Sequence, residues 1–174
     1  MYMYILIAII IIAMILIFYA YVYNNFQHLI IRLNEAEVNI NSALNKKFDL
    51  LNRSINVVKG NLKIEREILE NIVKLRSRKI DDFELDKELE IAEEEFISIK
   101  NEFAELDKVD NFKKIGALLI ETKEQLIAAK LYYNDCAIKY NKLIRYFPSN
   151  ILAFIFKYKE KPFHQNIDSF SKEK

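Results

Sequence analysis

The sequence predicts an all-α protein: an N-terminal transmembrane helix continues into an antiparallel up-and-down bundle of three long helices and a short C-terminal helix. Glycine and proline occur only twice each among 174 residues, which excludes the turn-rich α/β and β-sandwich folds. Residues 2–23 contain no charged side chain, whereas the remainder repeats apolar residues every three or four positions. The first pattern is typical of a membrane span and the second of amphipathic helices.

The charge-free run predicts a transmembrane signal anchor over residues 1–23. A run of 22 residues is long enough to cross a hydrocarbon core of ~30 Å, and tyrosines at both ends suit the headgroup zone. The basic start and small-residue cleavage site of a cleaved signal peptide are missing. Arg32, Lys46, Lys47 and Arg53 follow the span, so the positive-inside rule predicts a cytoplasmic bundle and a short N-terminus outside the cell membrane.

Residues 24–163 are predicted to form the bundle, and residues 164–174 a polar tail. No glycine or proline separates Tyr23 from the first apolar stripe, so one helix should leave the bilayer and continue to Gly60 and Asn61, where it can first bend. Lys46, Lys47 and Asp49 lie off the stripe and are expected in solvent. The stripe consists of Leu29, Leu33, Ala36, Ile40, Leu44, Phe48, Leu51, Ile55, Val58 and Leu62.

A second helix is predicted to start at an N-cap, Asp81 or Asp82, and to end before a polar turn over residues 107–111. The acidic run at residues 93–95 is interpreted as a solvated face and not as a metal site, because consecutive helical residues point in different directions. Phe96, Ile99 and Phe103 are expected to face the third helix at Leu126, Tyr133 or Tyr140. The second stripe consists of Leu85, Leu89, Ala92, Phe96, Ile99, Phe103 and Leu106.

The third helix should end near Phe147, because Pro148 disfavours helical geometry in the residue before it. Its stripe consists of Ile115, Leu119, Thr122, Leu126, Ala129, Tyr133, Cys136, Tyr140, Leu143 and Phe147.

The apolar residues 151–156 are followed by Lys157, Lys159 and Lys161. This segment either docks on the bundle as a short fourth helix or rests on the bilayer, since so large an apolar patch needs a cover. If successive helices alternate in direction, Pro148 lies at the membrane-distal end. Docking on the bundle is therefore favoured, with the three lysines in solvent.

The residues offer little support for catalysis. His28 and His164 are far apart and form no metal-binding pattern, so both are expected at the surface and no metal or other cofactor is expected. Cys136 lies on the third stripe and is expected to be a buried, inert thiol. A net charge of +1 gives no attraction to nucleic acid. We expect neither an enzyme nor a nucleic-acid-binding protein.

Asn134 and Asn141 are seven residues apart and therefore lie on one side of the third helix, next to Tyr133 and Tyr140. Their amides can either fix the register of bundle packing through hydrogen bonds to a neighbouring helix or form part of a partner-binding surface.

The chain resembles the LemA family through short motifs in a characteristic order. These are Tyr23-Asn24, Lys46-Lys47-Phe48-Asp49-Leu50-Leu51, Val58-Lys59-Gly60, Asn111-Phe112, Tyr133-Asn134, Tyr140-Asn141, Phe147-Pro148, Ala153 and Pro162-Phe163. The sequence departs from the family pattern in lysines at positions 46, 47 and 130, where arginines are usual, and in Asn52-Arg53, where the family usually has Pro-Asn. Loss of that proline favours an uninterrupted first helix.

The resemblance implies a bacterial single-pass membrane protein with a short external N-terminus and a cytoplasmic bundle, and it implies no catalytic activity. The candidate interaction residues are the motif positions Tyr23, Asn24, Asp49, Tyr133, Asn134, Tyr140, Asn141, Phe147 and Pro148. The main functional hypothesis is a membrane-anchored scaffold or adaptor that binds a protein partner or a second copy of itself. The alternatives are a lipid-sensing or membrane-shaping protein that uses residues 151–161, and a non-catalytic subunit of a membrane enzyme complex.

Overall fold

The computed structural model describes residues 2–62 and 82–164, and its helices confirm the all-α prediction. The α-helices of these ranges are α1 (Tyr2–Leu62), α2 (Asp82–Glu102), α3 (Asp110–Arg145) and α4 (Ser149–Ile155). A short 3₁₀ helix, Ala104–Lys108, lies between α2 and α3. No strand occurs in the two described ranges.

Helix α1 is continuous, as the sequence predicts. It contains 61 residues and passes through Gly60 and Asn61. It is the one helix in the described part of the chain that is long and apolar enough to cross a membrane. Every side chain from position 2 to position 18 is exposed.

The chain divides into two compact units, each of which includes part of α1 and part of α3. Unit 1 consists of Met1–Glu37 and Leu131–Lys174, and unit 2 consists of Val38–Lys130. Most residues of the apolar stripes lie in the interior of the two units, but Phe147, the last residue of the third stripe, is 80 % exposed. All α1 stripe residues from Leu29 to Val58 are buried, whereas the side chain of Leu62 lies outside the described residues.

In unit 1, α1 and α3 are antiparallel. The ring centroids of Phe26 and Tyr140 lie 5.7 Å apart. Further along α1, the Glu37 carboxylate lies close enough to Tyr133 to raise the pKa of that phenol, and Tyr133 precedes Tyr140 on α3. Helix α3 therefore runs back toward Tyr23, and Pro148 lies near the end of the charge-free run. The predicted membrane-distal position of Pro148 is wrong, because it assumed that successive helices alternate in direction from α1 onward.

In unit 2, α2 and α3 are antiparallel. Asp86 pairs with Lys130 and Glu93 pairs with Lys123. The ring of Phe96 stacks on Phe112, at the start of α3, with 4.7 Å between centroids and 27° between planes. The expected pairing of Phe96 with Leu126, Tyr133 or Tyr140 is wrong, because the antiparallel register sets Glu93 beside Lys123 and the Phe96 ring against Phe112, closer to the α2–α3 connection.

The element boundaries differ in detail from the predicted ones. Helix α2 begins at Asp82, whereas Asp81 lies outside the described residues. The predicted polar turn over residues 107–111 is largely helical, since the 3₁₀ helix extends to Lys108 and α3 begins at Asp110. Leu106 is 1 % exposed, so burial of this side chain favours a helical turn over an open loop.

Helix α3 ends at Arg145, close to the predicted position. The Phe147–Pro148 bond is cis, and Pro148 occupies the N-cap of α4. The Ser149 hydroxyl oxygen lies 2.7 Å from the Leu143 carbonyl oxygen and 2.8 Å from that of Tyr146, and its one proton is shared between these two acceptors. The Leu143 carbonyl is one that the end of α3 leaves without a helical partner, whereas the Tyr146 carbonyl also accepts from the Asn150 amide at 3.0 Å.

Helix α4 ends in a Schellman motif. The amide of Tyr158 donates to the carbonyl of Ala153 at 2.9 Å, and the amide of Lys157 donates to that of Phe154 at 3.2 Å. Lys157 has φ 54°, the left-handed conformation that glycine usually supplies at this position. The motif turns the chain out of α4 and into the C-terminal segment.

Candidate functional site

Two asparagines of α3 hold residues 156–164, which we call the C-terminal segment of unit 1. The Asn141 side chain donates to the Lys161 carbonyl at 2.9 Å and accepts from the Lys161 amide at 2.9 Å. Asn134 does the same with His164, at 3.0 and 2.9 Å. Each amide thus satisfies both backbone groups of one residue, as a neighbouring strand would. We call this pair of contacts the asparagine clamp.

The spacing of the clamp follows from backbone geometry. Seven residues of helix rise ~10.5 Å, and three residues of extended chain span ~10 Å. The interval from Asn134 to Asn141 on α3 therefore matches the interval from Lys161 to His164 on the segment. Both asparagines are buried, so each side-chain amide needs these partners as much as the backbone does.

An aromatic cluster seats the start of the same segment against α1. Tyr158 lies 4.9 Å from Phe26 and 6.3 Å from Tyr140, measured between ring centroids. The Gln27 amide donates to the Tyr158 hydroxyl at 2.8 Å. Phe156 lies 5.3 Å from Tyr23. The C-terminal segment therefore packs on α1 within unit 1, whereas Ile151, Phe154 and Ile155, which belong to the same predicted apolar patch, remain exposed.

Two ion pairs lie along the docked segment. Arg145 donates to both carboxylate oxygens of Glu160 at 2.6 and 2.5 Å, a fork that lowers the pKa of Glu160. Lys161 pairs with Glu37 at 3.3 Å. Lys157 and Lys159 are exposed as expected, but Lys161 is half-buried. The expectation that Lys161 stays in solvent is therefore wrong, because the clamp holds its backbone against α3 and turns its ammonium group toward α1.

Two buried tyrosines of α3, Tyr133 and Tyr140, have raised pKa values. Burial raises the pKa of Tyr133, and the Glu37 carboxylate raises it further. Burial likewise raises the pKa of Tyr140, with Tyr158 adding to the effect. Both phenols are therefore neutral at pH 7, and their rings pack against Phe26, His164 and Tyr158.

Unit 2 contains a buried carboxylate between two ammonium groups. Glu93 Oε2 lies 2.6 Å from Lys47 Nζ, and Glu93 Oε1 lies 3.2 Å from Lys123 Nζ. The side chains of Lys47 and Glu93 are 2 % and 9 % exposed. The expectation that Lys47 and Glu93 face solvent is wrong, because each neutralises the charge that would otherwise prevent burial of the other. Glu94 is exposed as expected.

The two lysines determine the ionisation of Glu93. Burial alone would raise the pKa of this carboxyl, but the hydrogen bond and charge of Lys47, together with Lys123, leave the pKa below its ordinary value. Glu93 therefore remains ionised at neutral pH and acts as a fixed anion. A carboxylate in this state is poorly suited to donate a proton to a substrate.

A second buried pair, Asp86 with Lys130, repeats the arrangement one heptad away. Asp86 and Glu93 are seven residues apart on α2, and Lys123 and Lys130 are seven residues apart on α3. This complementary spacing on two antiparallel helices is the signal by which the sequence could have revealed both pairs.

An apolar pocket of about 450 Å³ lies between α2 and α3 in unit 2. Its lining includes Phe96, Ile97, Gly116 and Ile120, with Glu93 at one side. Ile97 and Ile120 are 47 % and 64 % exposed, so the pocket opens to the surface through two aliphatic side chains.

The predicted interaction residues separate into two groups. Tyr23, Tyr133, Asn134, Tyr140 and Asn141 each contact the docked C-terminal segment or the aromatic cluster of unit 1. The remaining four do not join that network: Asn24 and Asp49 are exposed, Phe147 is 80 % exposed, and Pro148 caps α4.

The one cysteine and the two histidines of the chain lie in different environments. Cys136 is 1 % exposed, which confirms the buried thiol. His28 is exposed as expected, whereas His164 is half-buried with its ring edge-on to Tyr133 at 4.7 Å. Within residues 2–62 and 82–164, no cluster of three or more His, Cys, Asp or Glu could hold a metal ion.

Comparison with known proteins identifies one family. The LemA family model matches residues 36–174, which include all of the described chain from the middle of α1 onward. No curated protein matches the sequence.

We expect Asn141→Ala to release the C-terminal segment without unfolding the protein. The substitution removes two hydrogen bonds to Lys161 and leaves its backbone unpaired, which costs ~1–3 kcal/mol. Amide hydrogen exchange over residues 158–164 should accelerate by about tenfold or more, while exchange in α2 stays unchanged. Asn101→Ala, at an exposed position, serves as the control. Equal protection in the wild type and Asn141→Ala would contradict the clamp.

We expect the buried ion pairs to make stability dependent on acid. Because the pKa of Glu93 is lowered on folding, its contribution is complete above the ordinary carboxyl pKa of about 4.3 and is lost as the pH falls through the lowered value. Glu93→Gln should reduce the free energy of unfolding at pH 7 by ~3–5 kcal/mol, since it leaves Lys47 buried without a counter-charge.

The measurement is denaturant unfolding of the full chain in detergent between pH 7 and pH 3. The loss for Glu93→Gln relative to wild type should shrink toward pH 3, whereas Glu94→Gln should match wild type throughout. A constant difference across this range would mean that the charge of Glu93 does not stabilise the fold.

Proposed function

Because the chain belongs to the LemA family, we propose that it is a single-pass membrane protein whose helical bundle is a non-catalytic scaffold or adaptor at the bacterial cell membrane. The observation that carries the proposal is the continuity of α1. One helix contains both an exposed, charge-free N-terminal run and the buried stripe of the bundle. Such a helix ties a folded domain rigidly to a membrane.

The exposed side chains of α1 support membrane insertion. From position 2 to position 18 every side chain is exposed, and all but the tyrosines are wholly apolar. In water, a helical surface of this kind would be a severe aggregation hazard. In a bilayer the same surface contacts lipid acyl chains. The helix also forms its backbone hydrogen bonds internally, as a membrane span requires.

The proposed orientation places the short N-terminus outside and the bundle in the cytoplasm. Arg32 lies nine residues after the span, within the stretch over which basic residues influence orientation, and Lys46, Lys47 and Arg53 lie further along the chain. An excess of basic residues within one flank is retained on the cytoplasmic side during insertion.

A non-catalytic role is supported by how the buried polar groups are used. Asn134 and Asn141 are occupied by the C-terminal segment. Glu93 is neutralised by Lys47 and Lys123, and Asp86 binds Lys130. Each of these groups has a structural task that would compete with proton transfer or nucleophilic attack.

The pocket of unit 2 is the proposed docking surface for a protein partner. Exposed aliphatic side chains around a groove are typical of sites that accept an apolar anchor residue of another protein. Ile97 and Ile120 provide such a rim, and Phe96 forms part of the lining.

We expect protease added outside sealed cells to leave the bundle intact and to digest it only after lysis. The reason is the cytoplasmic location that the basic flank favours. The measurement is immunodetection of the full chain with antibodies against the bundle. Digestion in sealed cells, with a cytoplasmic marker preserved, would reverse the orientation.

We expect a photo-crosslinking residue at Ile120 to form a discrete adduct with one protein partner in living cells. The control is the same residue at Leu118, which is exposed on the same helix but does not line the pocket. Mass spectrometry identifies the adduct. Equal adducts at both positions would mean that the pocket is not the docking surface. Lipid adducts alone would favour a lipid-sensing role, and an enzyme as the partner would favour an accessory subunit.

A further inference from the structure

Four apolar side chains of the α3–α4 connection and of α4 are exposed in unit 1. Phe147 is 80 % exposed, Ile151 40 %, Phe154 86 % and Ile155 61 %. We call these four residues the tip face. The opposite side of α4 is packed, since Leu152 and Ala153 are buried. Helix α4 is therefore apolar on two sides. One side packs against the protein, and the other contributes to the tip face and is exposed.

The tip face lies beside the end of the charge-free run. Helix α3 runs antiparallel to α1 in unit 1, with Tyr140 against Phe26. The five residues from Tyr140 to Arg145 advance ~7.5 Å along α3, which corresponds to the level of Tyr21 on α1. Phe156, directly after α4, lies against Tyr23. The α3–α4 connection therefore lies at the level of the last residues of the charge-free run of α1.

Burial inside the charge-free run supports this position. Val22 is 6 % exposed and Tyr19 is half-buried, whereas residues 2–18 are all exposed. Protein thus covers the last turns of a segment that is long enough to span a membrane. The elements of unit 1 that cover them must reach the membrane surface whenever α1 is inserted.

We infer that the tip face enters the headgroup region of the bilayer that α1 crosses, on the side where the bundle lies. The inference rests on the proposed membrane anchoring of α1. A second contact of this kind fixes the tilt and rotation of the bundle relative to the membrane, which one helix alone leaves free. The ligand is a lipid surface, and it contributes acyl chains to the tip face and anionic headgroups to its basic edge.

Charge favours lipid as the occupant. Lys157 and Lys159 follow α4 directly and are exposed. Together with Phe154 and Ile155 they line a shallow depression at the end of the α3–α4 connection. Aromatic and aliphatic side chains bordered by lysines are the combination that binds the interface of an anionic membrane.

The Schellman motif determines where Lys157 lies. Its hydrogen bonds hold this residue at φ 54° directly after α4. Lys157 lines the same depression as Phe154 and Ile155, so its side chain borders the tip face.

Area argues against a second copy of the chain as the occupant. The four side chains expose on the order of 500 Å², given that a whole aromatic side chain presents ~150–250 Å². A stable protein interface buries ~800 Å² on each partner. The tip face is too small for that, but it needs no minimum area to bind a bilayer to which α1 already tethers it.

The chain contains no tryptophan, so single substitutions report depth directly. The full chain is reconstituted into vesicles of phosphatidylcholine and phosphatidylglycerol whose acyl chains carry bromine near the headgroup or near the bilayer centre. We expect Phe154→Trp to emit at short wavelength and to lose at least half its fluorescence to bromine near the headgroup. Phe163→Trp is the matched control. It lies in the clamped segment beside Asn134, which is eleven residues or roughly 16 Å from Arg145 along α3, and should not be quenched.

A third variant separates the inference from the proposed function. Ile12→Trp, in the middle of the charge-free run, should be quenched by bromine near the bilayer centre if α1 is inserted. Quenching of Ile12→Trp without quenching of Phe154→Trp would overturn the inference and leave the anchor intact. Absence of quenching in both would overturn the anchor, and the inference with it. A short-wavelength emission of Phe154→Trp that depends on protein concentration and not on bromine would assign the tip face to a second copy and overturn the lipid contact.

The lysines provide a second readout. Adding Lys157→Gln and Lys159→Gln to Phe154→Trp should lower the ratio of docked to undocked tip about fivefold for each lysine on vesicles containing phosphatidylglycerol, since each basic residue near such a surface contributes ~1 kcal/mol. Both positions are exposed, so folding should be unaffected. Equal quenching with and without the lysines on anionic vesicles would contradict the proposed role of Lys157.

Discussion

Burial of the apolar stripe of α1 is the interaction on which the rest of the structure depends. Nine residues from Leu29 to Val58 lie on one side of this helix and all are buried, and each unit includes a part of it. A long helix with so much apolar surface gains most of its stability from tertiary packing. The other elements meet that requirement: α3 covers α1 in unit 1, and Lys47 carries an ion pair to α2 in unit 2.

The stripes could be predicted because period alone determines which side of a helix is buried. Leu33, Leu89 and Leu119 illustrate this on three helices, and all are buried as expected. The direction of α3 could not be obtained in the same way. An apolar stripe is the same for a helix that runs toward the membrane and one that runs away, and only tertiary contacts at two levels, Phe26 with Tyr140 and Glu37 with Tyr133, distinguish the two.

The burial of polar residues could not be predicted either, since a charged side chain off the stripe is normally solvated. Lys47 and Glu93 are buried because each has the other at 2.6 Å, a condition that depends on the partner helix and not on local sequence. The asparagines were half-predicted. Their seven-residue spacing indicates a shared side of α3, but their partner is backbone of an extended segment and not the side chain of a neighbouring helix. The sequence of residues 161–164 by itself contains no pattern that predicts docking.

The asparagine clamp couples two lengths of chain that lie far apart in sequence. One residue inserted between Asn134 and Asn141 would rotate the second amide by ~100° around α3 and displace it ~1.5 Å, while the interval from Lys161 to His164 would remain as it was. The reverse insertion would offset the segment by ~3.3 Å. Evolution can therefore change residue identities in both stretches more freely than it can change their lengths. Gaps in this part of a homologous chain should therefore avoid both stretches, since the two shifts do not compensate each other.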